Sequence, residues 1–316
     1  MAALVVGVAL IVWGAEQFAA NLARAAVGLG VSAFALALLL AGAEPEEMAT
    51  VIAATLRGAP GIAFGDIVGA NIAMCLVALG VGAVVAPLPF TRRVLLYGLA
   101  SLPVGVLATI LMWGGTLGRL QGVVLIGLYA LYVGAVWRFE HAPPALGELE
   151  ELQEAEEQLA TVRAAHSPLR VGRELVLVLA GLAALAIGAT VLVEATRQIT
   201  GIEEGQTRLG LTLVGFATAF ELVMLCWSAA RRGATDVALA GVIGSFAYNV
   251  TMSLGAGAVL RPITIADAAL LHTPLLLMLG SLVAVLLLAA PRQRLTRPMG
   301  IGLLCAYPVV LWLMVR

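Results

Sequence analysis

The sequence predicts an all-α polytopic membrane protein with about ten transmembrane helices in two inverted five-helix repeats, and three observations lead there. The 316-residue chain is 61% hydrophobic and 12% charged, with a mean hydropathy of +1.03. A soluble domain does not carry that composition. Apolar stretches of bilayer-spanning length, roughly 20 residues each, recur about ten times. Two regions of the chain are copies of one another, in register without a gap, and each is built around one glutamate.

Spans are expected near 2–23, 28–56, 61–86, 94–114, 118–138, 174–196, 207–230, 236–260, 264–290 and 299–315. All are read as helices, because an open strand edge cannot be satisfied in lipid. The first lacks a basic leader and a small-residue cleavage site followed by soluble sequence, so it is expected to be a span and not a removable signal. The second and third hold the first copy of the repeat, and the fourth and fifth are plainly apolar. His141, Pro143 and Pro144 end the fifth, and Glu148 to Glu157 follow as a dense acidic run. There Leu149, Leu152, Leu159 and Val162 recur at helical spacing, which predicts a short amphipathic helix in a solvated linker. The run has no Asp/Gly calcium-loop pattern. The seventh and eighth spans hold the second copy. The expected organisation is a first repeat over 1–138, a polar connector over 139–173 and a second repeat over 174–316.

Arginine placement predicts the orientation. The chain has no lysine. Alternate loops hold twelve arginines (Arg24, Arg92, Arg93, Arg138, Arg163, Arg170, Arg173, Arg231, Arg232, Arg292, Arg294 and Arg297). The opposite set holds six: Arg57, Arg119, Arg197, Arg208, Arg261 and Arg316. The positive-inside bias puts the richer set and the connector in the cytoplasm and both termini outside. Five spans per half is an odd number, so the halves must be inverted. The expected location is the inner (plasma) membrane of a bacterium or archaeon, and the expected partners are the bilayer and cations. A net charge of −1 gives no reason to expect a nucleic-acid partner. Without lysine there is no nucleotide-binding Gly-x-x-x-x-Gly-Lys loop, so no nucleotide and no resident cofactor are expected. Cys75, Cys226 and Cys305 lie in apolar runs and are read as buried thiols packing as small hydrophobes. No His/Cys spacing suggests zinc.

The repeat carries the chemistry. At an offset of 175 residues Glu46 falls on Glu221, Arg57-Gly58-Ala59 on Arg232-Gly233-Ala234, Gly69 on Gly244, Leu79-Gly80 on Leu254-Gly255 and Pro87 on Pro262. A carboxylate in hydrocarbon is costly, so one at equivalent points of a duplicated membrane chain predicts an ion or proton site. Pro45 and Gly42 loosen the helix at Glu46, and the freed carbonyls of Gly42 and Ala43 become neutral oxygen ligands. In the second half Ala217 and Thr218 take those positions without a proline, so a break there must come from packing. The following spans add Asp66 and Asn71 in Gly65–Asn71, and Ser245 and Asn249 in the matching segment. Small residues there let helices approach closely enough for these groups to face the glutamates. Glu44 and Glu47 flank Pro45-Glu46 and are expected at a water-filled vestibule or the interface, since all three acids cannot face one site. Glu16, Glu194 and Asp267 are expected to be solvated near span ends.

At Pro45-Glu46, Glu221, the Arg-Gly turns, and the Gly-x-x-Gly-Ala-Asn and Gly-x-x-Gly-Ser-Phe segments, the chain resembles the sodium/calcium exchangers of the cation/calcium exchanger superfamily, over essentially its whole length. The resemblance implies secondary antiport, not enzymatic catalysis. Glu46 and Glu221 would hold calcium and, in another step, sodium, while spans one and six move against spans two, three, seven and eight. The departures are specific. The family's Thr-Ser pair is Gly42-Ala43 in one half and Ala217-Thr218 in the other. The serine of the second motif is Ala70 in one half and Ser245 in the other, and its partner one turn on is Met74 or Asn249. Glu44, Glu47 and Asp66 are acids where the family has neutral residues. The expectation is calcium exchanged for sodium or protons. The alternatives are a proton-coupled exchanger of another divalent cation and a transport-inactive sensor or scaffold. An intramembrane aspartyl protease is disfavoured, because Ala63 breaks the Gly-x-Gly-Asp pattern and no second span offers a clear partner aspartate.

Overall fold

The computed structural model describes residues 2–28, 44–140, 171–233 and 235–316. Gly42 and Ala43 of the expected ligand set, most of the polar connector and its expected amphipathic helix lie outside these residues.

The first half contains α1 (Ala2–Gly28), α2 (Pro45–Leu56), α3 (Pro60–Ala73), a π-helical turn at Met74–Ala78, α4 (Leu79–Val85), α5 (Arg92–Met112) and α6 (Arg119–Glu140). Two-residue strands, β1 (Leu88–Pro89) and β2 (Thr116–Leu117), flank α5. The second half contains α7 (Val171–Ile199), α8 (Glu203–Leu209), a π turn at Gly210–Val214, α9 (Gly215–Thr218) and α10 (Phe220–Arg232). It continues through α11 (Thr235–Tyr248), a π turn at Asn249–Ser253, α12 (Leu254–Leu260), β3 (Ile263–Thr264), α13 (Ala269–Ala289), β4 (Arg294–Leu295) and α14 (Arg297–Val315). Among the described residues nine helical spans are long and apolar enough to cross a membrane. The second expected span is represented by α2.

The duplication seen in the sequence is also a duplication of backbone. α2, α3, the first π turn, α4 and β1 each begin 175 residues before α10, α11, the third π turn, α12 and β3. Gly58 (φ +66°) and Gly233 (φ +80°) end the matching helices α2 and α10 in the left-handed region, which explains glycine in both Arg-Gly turns.

The strand pairings show that the halves are inverted. β1, reached at the end of α4, pairs antiparallel with β4 in the α13–α14 connection. β3, reached at the end of α12, pairs with β2 in the α5–α6 connection. Since α5 crosses from the β1 face to the β2 face, the equivalent helices α4 and α12 end on opposite faces.

The molecule packs in two parts. α1 and α7 form a close pair, and methyl groups at Gly14 and Gly181 would lie 2.8 Å from Leu185 N and 2.7 Å from Phe18 N. Small residues let the two backbones approach this closely. This pair meets the other helices chiefly along α2, over an apolar cleft of about 420 Å³ lined by residues including Phe18, Pro45, Met48, Leu185 and Tyr248. The remaining helices surround α3 and α11, which are buried along nearly all of their described lengths.

Candidate functional site

Pro45 sets the geometry. Glu44 sits outside helical space (φ −116°, ψ 84°), and α2 starts at Pro45, whose fixed φ and missing N–H suit the first helical position. Glu46 and Glu47 therefore occupy the first turn, where the positive end of the helix dipole favours carboxylates. In the second half Ala219 (φ −67°, ψ −8°) perturbs the helix just before α10, and the π turn at 210–214 precedes it. The distortion comes without a proline, and Glu221 lies in the first turn of α10.

Glu44, Glu46 and Glu47 are 6%, 2% and 0% exposed, which corrects the expectation of a vestibule or interface for Glu44 and Glu47. Two physical reasons account for it. Glu44 precedes the helix and is free of its angular spacing. α2 is also enclosed by α3, α7, α12 and the 249–253 turn.

Ser245 Oγ on α11 donates a hydrogen bond to Glu44 Oε1, and Glu44 lies within hydrogen-bonding reach of Glu46. Glu221, half-buried, interacts with Glu46 and with Glu16 of α1, and its Oε2 is buried without a hydrogen-bond partner. Glu16 is exposed, yet it lies well inside α1 and not at a span end.

Glu47 faces the other way, against the Asp66 carboxyl of α3 and the Thr218 hydroxyl of α9. Thr218 Oγ1 lies 3.0 Å from Asp66 Oδ1, 3.1 Å from Val214 O and 3.4 Å from Gly215 O, so its single proton has three acceptors. Close backbone packing positions the pair. A methyl group at Gly69 would lie 2.3 Å from Leu211 O, and one at Gly215 would lie 2.6 Å from Asp66 O.

Asn71 and Asn249 behave differently. Asn249 Nδ2 donates to Asn71 Oδ1 at 3.3 Å, and Asn71 Nδ2 donates to Phe246 O at 3.2 Å. They bond each other and the α11 backbone, the helix–helix role expected of amides in a membrane core. Ala217 is half-buried beside Thr218.

Among the described residues no arginine pairs with Glu44, Glu47, Asp66 or Glu221; the ion pairs involve Arg57 and Arg197 with Glu194, and Arg208 with Glu204. Glu194 is therefore paired as well as partly solvated, while Asp267 is exposed as expected. No three acidic, histidine or cysteine side chains among the described residues converge as a ready-made metal cage. The arrangement is a set of carboxyl pairs with neutral oxygens from hydroxyls. Such a site is suited to a hard cation or to protons.

The sequence matches the sodium/calcium exchanger protein family over residues 1–138 and 173–316. It is 28% identical to the sodium/calcium exchanger MaX1 of Methanosarcina acetivorans, with 90% of each chain covered. It is 26% identical to CaxA of Alkalimonas amylolytica, over 96% of this chain and 95% of that one. Its fold is similar to that of the sodium-calcium exchanger NCX_Mj soaked with sodium and strontium, at a TM-score of 0.63 and 23% identity, covering 98% and 97% of the two chains.

Proposed function

The chain belongs to the sodium/calcium exchanger family, and from that premise we propose that it exchanges calcium for sodium or protons across the membrane, with Glu46 and Glu221 as the calcium carboxylates. The observation that carries this reading is their placement. Each lies in the first turn of a helix that begins inside the protein, at symmetry-related points of inverted halves, close enough for their charges to interact. Two carboxylates balance one calcium ion. Two carboxylates brought together at this depth repel when both are ionised, so the pair favours a bound cation.

The remaining shell comes from backbone carbonyls at 42–43 and 217–218 and from the Ser245 hydroxyl. Alternating access fits the two-part packing. The glycine-locked α1–α7 pair moves against the other helices, and Glu16 on α1 faces the ion path close to Glu221. The arginine-rich face is cytoplasmic in this reading.

A specific observation favours protons as the driving ion. Glu44, Glu47 and Asp66 add three buried carboxyls where the family has neutral residues, and the family hydroxyls at 42, 43, 70 and 217 are gone. Sodium needs several neutral oxygens, whereas a proton needs no coordination shell. The full-length likeness to MaX1 favours sodium.

Calcium-45 uptake into proteoliposomes, with sodium and proton gradients imposed separately, decides between them. Uptake driven by either gradient supports antiport and identifies the coupling ion. No calcium flux under either gradient, with other divalent cations transported instead, removes calcium as the substrate. No flux of any divalent cation supports a transport-inactive sensor or scaffold.

A further inference from the structure

We infer that Glu47, Asp66 and the Thr218 hydroxyl form a second divalent-cation site, separate from the one at Glu46 and Glu221. The inference rests on the reading of Glu46–Glu221 as a calcium site and adds a second ion beside it.

The acids form two hydrogen-bonding sets, with Glu47 also close enough to Glu46 and Glu44 for their charges to interact. Glu44, Glu46, Glu221 and Glu16 interact in one series toward α1 and α10. Asp66 interacts with Glu47 and Thr218, on the side of α2 that faces α3 and α9. Adjacent residues of a helix diverge by about 100°, so Glu46 and Glu47 point into different spaces from the same turn.

The second group holds unsatisfied valence. Glu47 and Asp66 are each 0% exposed, and neither oxygen of Glu47 nor Oδ2 of Asp66 meets a hydrogen-bond donor in good geometry. No arginine among the described residues pairs with them. Buried carboxylates held against each other repel unless a positive charge lies between them. Two carboxylates match the charge of one divalent ion.

The neutral oxygens fit as well. When the Thr218 proton turns to Val214 O at 3.1 Å, its lone pairs face Asp66 and Glu47. Carboxylates with hydroxyl or carbonyl oxygens are the ligands of hard divalent cations. Every partner comes from α2, α3 and α9, and none from α1 or α7, so an ion held here does not depend on the α1–α7 pair. It joins three helices of the stationary part.

The experiment is equilibrium dialysis of the purified, detergent-solubilised chain against calcium-45 at fixed pH. Wild type is expected to bind about two ions per chain, and Glu47→Gln and Asp66→Asn about one each. The ion remaining in those variants should be lost when Glu221→Gln is added. Thr218→Ala, which keeps both carboxylates, should weaken one ion and spare the other. Retention of that remaining ion also shows that a variant is folded. If wild type binds one ion that survives Glu47→Gln and disappears in Glu221→Gln, the second site is wrong while the Glu46–Glu221 reading stands. If both ions vanish in Glu47→Gln, Asp66→Asn and Thr218→Ala alike, separate sites are refuted. Absence of calcium binding in wild type overturns both readings.

Discussion

Replacing Gly69 with alanine tests how the backbone positions the carboxyls. The new methyl carbon would lie 2.3 Å from Leu211 O, where an ordinary contact is 3.4 Å or more. α3 and the 210–214 turn must therefore separate by about 1 Å, since the obstacle is backbone and not a side chain that can swing aside. Overpacking of this kind costs about 1–3 kcal/mol, occasionally more. A separation of that size also stretches the 3.0 Å Thr218–Asp66 hydrogen bond beyond bonding distance. A hydrogen bond to a charged group contributes about 1.5–3 kcal/mol. Gly69→Ala should lower the melting temperature in detergent by several degrees and reduce calcium flux in proteoliposomes several-fold or more. Gly134→Ala, where nothing lies within 4 Å, serves as the control and should do neither. A Gly69→Ala protein with wild-type melting and wild-type flux would refute the idea that this helix contact sets the site.

Ser245→Ala leaves a buried Glu44 oxygen without its partner, and the apo protein should lose about 1–3 kcal/mol, read as a lower melting temperature. Thr218→Ser keeps a hydroxyl at the Asp66 carboxylate and should retain most transport, whereas Thr218→Ala should not; equal activity of the two would mean that only the Thr218 carbonyl is used. Glu194→Gln breaks the 3.3 Å ion pair with Arg57, but the Glu194 side chain is 38% exposed, so stability should change by about 1 kcal/mol or less.

Much of the fold was legible because bilayer-spanning helices announce themselves by length, and because the repeat kept its register at 175 residues. The same offset reproduces helix boundaries and the π turns at 74–78 and 249–253, which no periodicity argument had suggested. A π turn needs only one extra residue per turn and leaves no compositional mark. Inversion followed from the odd span count, and the crossed β1–β4 and β2–β3 pairings supply it independently.

The site was read less evenly. Glu46 and Glu221 stood out as duplicated acids. For Glu44 and Glu47 the sequence points to a water-filled vestibule or the interface, because three neighbouring acids cannot all face one site. That reasoning treats Glu44 as helical, whereas it precedes α2, and at this depth α2 packs against α3, α7, α12 and the 249–253 turn. The signal that could have corrected it was Asp66: a second unduplicated acid in the next span needs a partner, and Glu47 is the nearest candidate in the opposing helix. Thr218 illustrates the opposite limit. Its position in the motif pointed to the glutamates, but its hydroxyl bonds Asp66, a pairing across 152 residues that local spacing cannot reveal.

The most direct test of the central claim compares wild type with Glu46→Gln and Glu221→Gln in calcium-loaded proteoliposomes, following calcium-45 exchange under the gradient that drives the wild type. Glutamine keeps the shape and removes the charge, so both variants should reconstitute and melt like folded protein while gradient-driven exchange disappears. Exchange that persists in either variant would contradict a cation site built on this pair of glutamates.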